Sequence, residues 1–274
     1  GGGWVRRAAH CATEFSSMSV KLLGGSVSRT VTAAQVLPQW EGWNGTGTDL
    51  ALLQLDQAVT GVAGFRISTG SNLYQDYLLA GYGYTGTGSI GGTTFNNSGL
   101  AHYGYNTWDT TDDALNMSVF GNNGGGTSHG VTYVADFDDG SDAHNTLWQE
   151  TFYGSQDGSS TGLGANEGFM TGGDSGGGNF VLQGSEWVLA GVHATGWVIC
   201  GCFDANPSTF GSFGELNEAT AVYPHAAWIA GIAGDQVLAS AVPEPAAAQL
   251  ALLGLVVVGG LGWRRRASDA APAN

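Results

Sequence analysis

Apolar and polar side chains alternate along this chain in short runs that glycine interrupts. Ser19–Leu23 and Ser26–Thr32 alternate on either side of Gly24-Gly25, a spacing that predicts two strands joined by a turn. Leu50–Leu55 is a more continuous apolar run and predicts a third strand. Leu100–Asn106 and Gly130–Asp138 predict further strands inside a region, Thr85 to Gly168, rich in Gly, Asn, Asp and Thr. One segment differs in kind: Ala246 to Trp263 carries no charge, and at about 1.5 Å per residue a helix there reaches roughly 27 Å, the depth of a bilayer's hydrocarbon core.

Composition narrows the class. With 47 glycines, 11% aromatic residues and only 11% charged residues in 274, the chain suits short strands and tight turns, enough for one large all-β domain. The net charge of −15 comes from 23 acidic against 8 basic residues. Three of the basic residues are Arg264, Arg265 and Arg266, so the body is more acidic still and nucleic-acid binding is excluded.

Three segments carry chemistry. Gly172-Gly173-Asp174-Ser175-Gly176-Gly177 places a serine among residues that leave its hydroxyl open to a carbonyl and free backbone N–H groups to receive an oxyanion. Trp4-Val5-Arg6-Arg7-Ala8-Ala9-His10-Cys11 offers a histidine at the end of a strand. Gly47-Thr48-Asp49-Leu50-Ala51-Leu52-Leu53-Gln54-Leu55 sets an aspartate at the mouth of an apolar strand. Such a carboxylate can orient an imidazole and stabilise its protonated form.

These segments resemble those of the trypsin/chymotrypsin-like serine proteases, and His10, Asp49 and Ser175 occur in that family's chain order. The intervals are 39 residues, ordinary for the family, and 126 residues, which implies an insertion between Asp49 and Ser175. The resemblance covers about residues 4 to 232. It implies two antiparallel six-stranded β-barrels with a short C-terminal helix, and a site in the cleft between them. Tyr77–Tyr84 is similar to the strand and Gly-aromatic-Gly turn that open the second barrel, and Ala221–Ile229 to the last strand and helix start.

By that resemblance His10 is the general base, Asp49 its orienting acid and Ser175 the nucleophile, with the N–H groups of Gly173 and Ser175 as oxyanion hole. Phe169 occupies the floor of the primary specificity pocket, where it disfavours basic guests, and Ala194, Thr195 and Gly196 pair with the substrate backbone. His193 reads as a strand residue. No cofactor and no metal are implied.

Several positions depart from the pattern. Arg6 and Arg7 stand where the family has an aliphatic and a small hydroxyl residue, and charge there is costly unless paired. Cys11 lacks its usual bridging partner, and Thr171 stands where Cys200 would find one, so Cys11, Cys200 and Cys202 are expected as three free thiols. The resemblance leads one to expect that the family's first strand and a signal peptide belong before Gly1, the sequence starting late. In many members a freed N-terminus pairs with the aspartate before the nucleophile, so Asp174 is expected to be a buried carboxylate in need of another partner. Asp136, Asp138, Asp139 and Asp142 could gather around Ca²⁺, but their spacing does not fit an EF-hand loop, and a solvated acidic turn is the preferred reading.

The end of the chain resembles the PEP-CTERM sorting signals of Gram-negative bacteria: Val242-Pro243-Glu244-Pro245, an apolar helix, then Arg264-Arg265-Arg266. The expected organisation is a protease domain over 1–234, a linker over 235–245, a separate hydrophobic sorting or transmembrane helix with a basic end over 246–266, and a tail over 267–274. The arginines would stay cytoplasmic and the domain outside. The expected protein is an exported, surface-sorted serine endopeptidase acting on protein or peptide substrates, its tail cut by a sorting peptidase at Pro-Glu-Pro. The rival is a catalytically silent homologue serving as a surface binding or adhesion module, and a third reading is an esterase with the same triad.

Overall fold

Alternation within the strands is met by two curled antiparallel sheets. The computed structural model describes residues 3–13, 17–22, 26–42, 46–61, 63–95, 101–120, 129–147 and 162–239. The first sheet has the order β1-β4-β3-β2, from β1 (Trp4–Arg7), β2 (Ser19–Leu22), β3 (Val27–Val36) and β4 (Ala51–Leu55). The second has the order β8-β5-β11-β12-β13-β10-β9. Its strands are β5 (Asp76–Gly81), β8 (His102–Thr107), β9 (Thr110–Thr111), β10 (Thr132–Asp136), β11 (Gly178–Gln183), β12 (Glu186–Trp197) and β13 (Leu216–Ala221). A separate hairpin joins β6 (Tyr84–Thr87) to β7 (Gly91–Phe95), and the helices are α1 (Asp112–Phe120) and α2 (Ala226–Ala233).

The expected all-β, two-barrel architecture is therefore present, with four and seven strands among the described residues. Each sheet closes on its own core. In the second, Tyr77 and Trp108 stack at 3.8 Å and Tyr133 follows at 5.1 Å, packed with Leu79, Val181 and Val188. A further cluster takes Leu50 and Leu52 from the first sheet, Leu189 and Val192 from the second, and Ile229 from α2. Burying each such side chain contributes about 1.5–3 kcal/mol, so this cluster, which also takes in Ala8 and Cys11 on either side of His10, pins the two sheets together. The chain stays tied to the fold through Ala239, whose N–H donates to the Ile67 carbonyl.

Two expectations are corrected here. Cys200 and Cys202 are bonded to each other, with Cα atoms 5.1 Å apart, within a disulfide's ordinary span, and Cys11 alone is a free thiol. The turn at Cys200–Phe203 folds the chain back tightly enough to bring the two sulfurs together despite the single residue between them.

The solvated acidic turn is the second correction: Asp136 and Asp138 are buried, because their carboxylates are drawn inward by backbone N–H groups. Asp136 accepts from Leu147 N–H, Asp138 from Gly140 N–H, and Asp139 from Ser141 N–H and the His144 ring. Among the described residues no group of three or more His, Cys, Asp or Glu is arranged to hold a metal ion.

The apolar segment over 246–266 lies outside the described residues. Within them no helix is long and apolar enough to cross a membrane.

Candidate active site

Strand register explains why His10 meets Asp49. β1 and β4 pair antiparallel with Arg7 opposite Ala51, so the residues just after Arg7 lie beside those just before Ala51. His10 sits on a single 3-10 turn, Ala9–Cys11, that carries the chain off the end of β1. Asp49 is fully buried. Its Oδ1 accepts the His10 backbone N–H at 2.9 Å, and its Oδ2 lies 2.6 Å from Nδ1 of the ring. A carboxylate only accepts, so Nδ1 carries the proton and Nε2 is left for other chemistry. The hydrogen bond to Asp49, followed by one to the Cys11 thiol, pushes the His10 pKa up to about 10.

The serine loop is fastened to β12 and to the histidine segment. Gly176 N–H donates to the His193 carbonyl and His193 N–H to the Gly177 carbonyl, each at 2.9 Å. Gly176 has φ +82, and a Cβ there would stand 2.7 Å from Arg7 Cγ, which makes glycine a requirement of the close approach. Cys11 Sγ lies 3.9 Å from the Ser175 carbonyl. Residues 7–11 and 173–176 thus touch, although Ser175 Oγ makes no hydrogen bond to the His10 ring among the described residues.

The loop's own N–H groups divide in two. Those of Thr171, Asp174, Gly176 and Gly177 donate within the protein. Those of Gly172, Gly173 and Ser175 donate to no described residue, and Gly173 holds φ +92. An unspent N–H on the serine itself and another on Gly173, two residues before it, are donors of the kind a developing oxyanion requires.

Beside the loop, β12 outruns its neighbour. The ladder between β11 and β12 begins at Gly178 opposite Val192, whereas β12 continues past the bulge at Ala194 to Trp197 while pairing with β13. Residues Ala194, Thr195 and Gly196 consequently keep one edge without a strand, the geometry needed to add a peptide in extended form. Phe169, 9% exposed, packs against Phe137 and Phe210 with ring centres 5.5 and 5.2 Å away. A Cβ on Gly196 would meet Phe210 at 2.8 Å and Phe169 at 3.1 Å. The space beneath that edge is therefore occupied by aromatic rings.

Three further features bear on the site. Arg6 donates through Nη1 to the Phe65 carbonyl, and burial lowers its pKa. Its Nε and that of Arg7 are buried without a hydrogen-bond partner, so the cost expected of these arginines is only partly offset. His193 is buried and donates Nδ1–H to the Asp174 carbonyl at 3.2 Å, and burial pushes its pKa down to about 4. A neutral structural imidazole fits that setting. The third is the partner of Asp174: the ring of His102 lies 3.1 Å from its carboxylate. No local signal around His102 marks it. Only the need of a buried Asp174 for a donor pointed to some such residue.

Comparison with solved structures places this architecture among the chymotrypsin-like folds. The chain is similar to neuropsin, a serine protease expressed in the limbic system of mouse brain, with 15% identity, 84% of this chain and 85% of that one covered, and a TM-score of 0.54. It is similar to HL collagenase with 16% identity, 85% and 83% covered, and a TM-score of 0.54. Residues 241–266 match the PEP-CTERM protein-sorting motif, which indicates export and sorting to the envelope or surface. No curated protein sequence matches the chain.

Proposed function

We propose that this chain is a serine endopeptidase, sorted to the cell surface after export. The observation that supports it best is the double grip of Asp49 on His10, set against a loop in which the N–H groups of Gly173 and Ser175 are unspent. In this reading Ser175 Oγ attacks the peptide carbonyl carbon while His10 Nε2 takes the hydroxyl proton. The carbonyl π electrons move onto oxygen, which the N–H groups of Gly173 and Ser175 receive. Collapse of that adduct breaks the C–N bond, and His10 returns the proton to the leaving amine. Water then enters by the same route: His10 takes its proton, hydroxide oxygen attacks the acyl carbon, and Ser175 leaves reprotonated.

Ala194, Thr195 and Gly196 hold the substrate backbone, and the Phe169 and Phe210 rings that fill the space beneath Gly196 favour small or slender side chains in place of basic ones. The segment 246–266 spans the membrane with its arginines on the cytoplasmic side until a sorting peptidase cuts at Pro243-Glu244-Pro245.

A specific observation favours the second reading, a silent homologue acting as a surface binding module: Ser175 Oγ is not hydrogen-bonded to His10, and two buried arginine Nε atoms sit beside the histidine segment. Fluorophosphonate labelling and peptide cleavage, with Ser175→Ala as control, decide between them. Labelling that Ser175→Ala abolishes supports the enzyme; a folded sample that neither labels nor cleaves supports the binding module.

A further inference from the structure

The residue before the proposed nucleophile is held from two sides by histidines. Asp174 is 3% exposed, and a buried carboxylate must be matched by donors. Gly83 N–H reaches its Oδ1 at 2.7 Å and Thr171 N–H its Oδ2 at 2.8 Å. The Thr171 hydroxyl, shared with the Tyr84 carbonyl, lies 3.1 Å from Oδ2, and a further donor comes from the edge strand β8: His102 Nε2 lies 3.1 Å from Oδ1 and 3.4 Å from Oδ2. Because carboxylate oxygens only accept, Nε2 of His102 carries a hydrogen. From below, His193 donates Nδ1–H to the carbonyl of the same residue.

Space for this arrangement is written into the Gly81-Tyr82-Gly83 turn. A Cβ on Gly81 would fall 1.9 Å from Asp174 Oδ1, and one on Gly83 would fall 2.7 Å from Asp174 N. The carboxylate occupies the room those missing side chains leave. Its neighbours fix the loop: Asp174 N–H closes a turn on the Thr171 carbonyl, and Gly177 N–H closes another on the Asp174 carbonyl. Asp174 thus joins four of the bonds that shape 171–177, beside those that tie Gly172 and Thr171 to Tyr84 and Gly176 and Gly177 to His193.

We propose that His102 is a positioning residue for Ser175: by gripping the Asp174 carboxylate it holds the 171–177 loop in the one form that leaves the Gly173 and Ser175 N–H groups unspent. This rests on the endopeptidase reading above. The His102 side chain is 29% exposed and lines an open cavity of about 550 Å³ together with Tyr84, Tyr103 and Glu167, so a small heterocycle can enter the space its removal would create.

The test uses the full chain with native His102, His102→Ala and His102→Gln, read in two ways. Hydrogen exchange is followed peptide by peptide, and the fluorophosphonate labelling rate of Ser175 is measured with and without added imidazole. Expected are faster exchange in His102→Ala confined to peptides covering 81–84 and 171–177, a labelling rate lower by on the order of 10²-fold, partial recovery with imidazole, and a smaller loss in His102→Gln, whose amide can still donate. In an Asp174→Asn background His102→Ala should add little further loss.

Unchanged exchange at 171–177 together with unchanged labelling would overturn the proposal, as would acceleration spread evenly over all strands, which marks general destabilisation. If His102→Ala does not fold, His102→Gln carries the same comparison. A native protein that never labels defeats the endopeptidase reading alone, because the exchange pattern still judges the clamp.

Discussion

Asp49 holds His10 at two atoms, Oδ1 on the backbone N–H at 2.9 Å and Oδ2 on the ring Nδ1–H at 2.6 Å. The backbone bond sets where the turn leaves β1, and the ring bond sets the tautomer. One buried carboxylate thus decides both the place and the protonation pattern of the imidazole. Asp49→Asn can offer its amide NH₂ to the ring and favour the wrong tautomer. The expected result is a fall in labelling and peptidase rate on the order of 10³–10⁴-fold, measured beside a melting curve that shows the domain still folded.

The same bond displaces the pH profile. From sequence alone a midpoint on the order of 7 is expected for a free histidine base, yet the contacts with Asp49 and Cys11 push His10 up to about 10. A base must be unprotonated to act, so labelling should rise with pH and keep rising above neutrality. Cys11→Ala removes the second contributor and should move the midpoint down. A plateau already complete at pH 6 in the native protein would contradict the assignment.

Phe169 gives a specificity prediction. Its ring is buried against Phe137 and Phe210 under the Gly196 edge. Phe169→Ala should cost about 3–5 kcal/mol of stability and open the recess. Peptides with large apolar side chains at the cleaved position should gain in kcat/KM relative to those with small ones. Loss of activity on all substrates alike would place Phe169 in the scaffold alone.

Stability should be greatest on the acid side of neutrality. Burial raises Glu218 to about 8, Glu167 to about 8 and Asp136 to about 7. A raised carboxyl contributes stability that is complete below its unfolded pKa and is lost as pH climbs through its folded one, here from about 4.5 to 8. His10, raised to about 10, adds a loss between about 6.5 and 10. His193, lowered to about 4, acts oppositely, losing stability as pH falls from about 6.5 to 4, but it is outnumbered. Melting temperature should therefore drop between pH 5 and pH 8 on the order of several degrees. Glu218→Gln should flatten that slope, since the amide stays neutral throughout and keeps an acceptor for Trp197 Nε1–H.

The cysteines provide a direct check. With Cys200 and Cys202 bonded, denatured, unreduced protein should show one reactive thiol, at Cys11, and three after reduction. Three before reduction would restore the expectation drawn from sequence.

Short-range chemistry was legible in the chain itself. A carbonyl can approach a serine only where side chains are absent, an aspartate at a strand mouth can reach back to a strand end, and a charge-free run before arginines has few uses outside a membrane or a sorting system; these follow from residue types and local order. Partners brought together by folding were not legible. His102 lies 72 residues from Asp174 and reaches it only because β5 pairs with both β8 and β11. The aromatic filling beneath Gly196 joins Phe137, Phe169 and Phe210 from separate loops and strands. Hydrogen bonds and packing act over a few ångströms of space whatever the distance along the chain, so the tertiary structure alone chose which donor satisfies Asp174 and how His10's basicity is tuned.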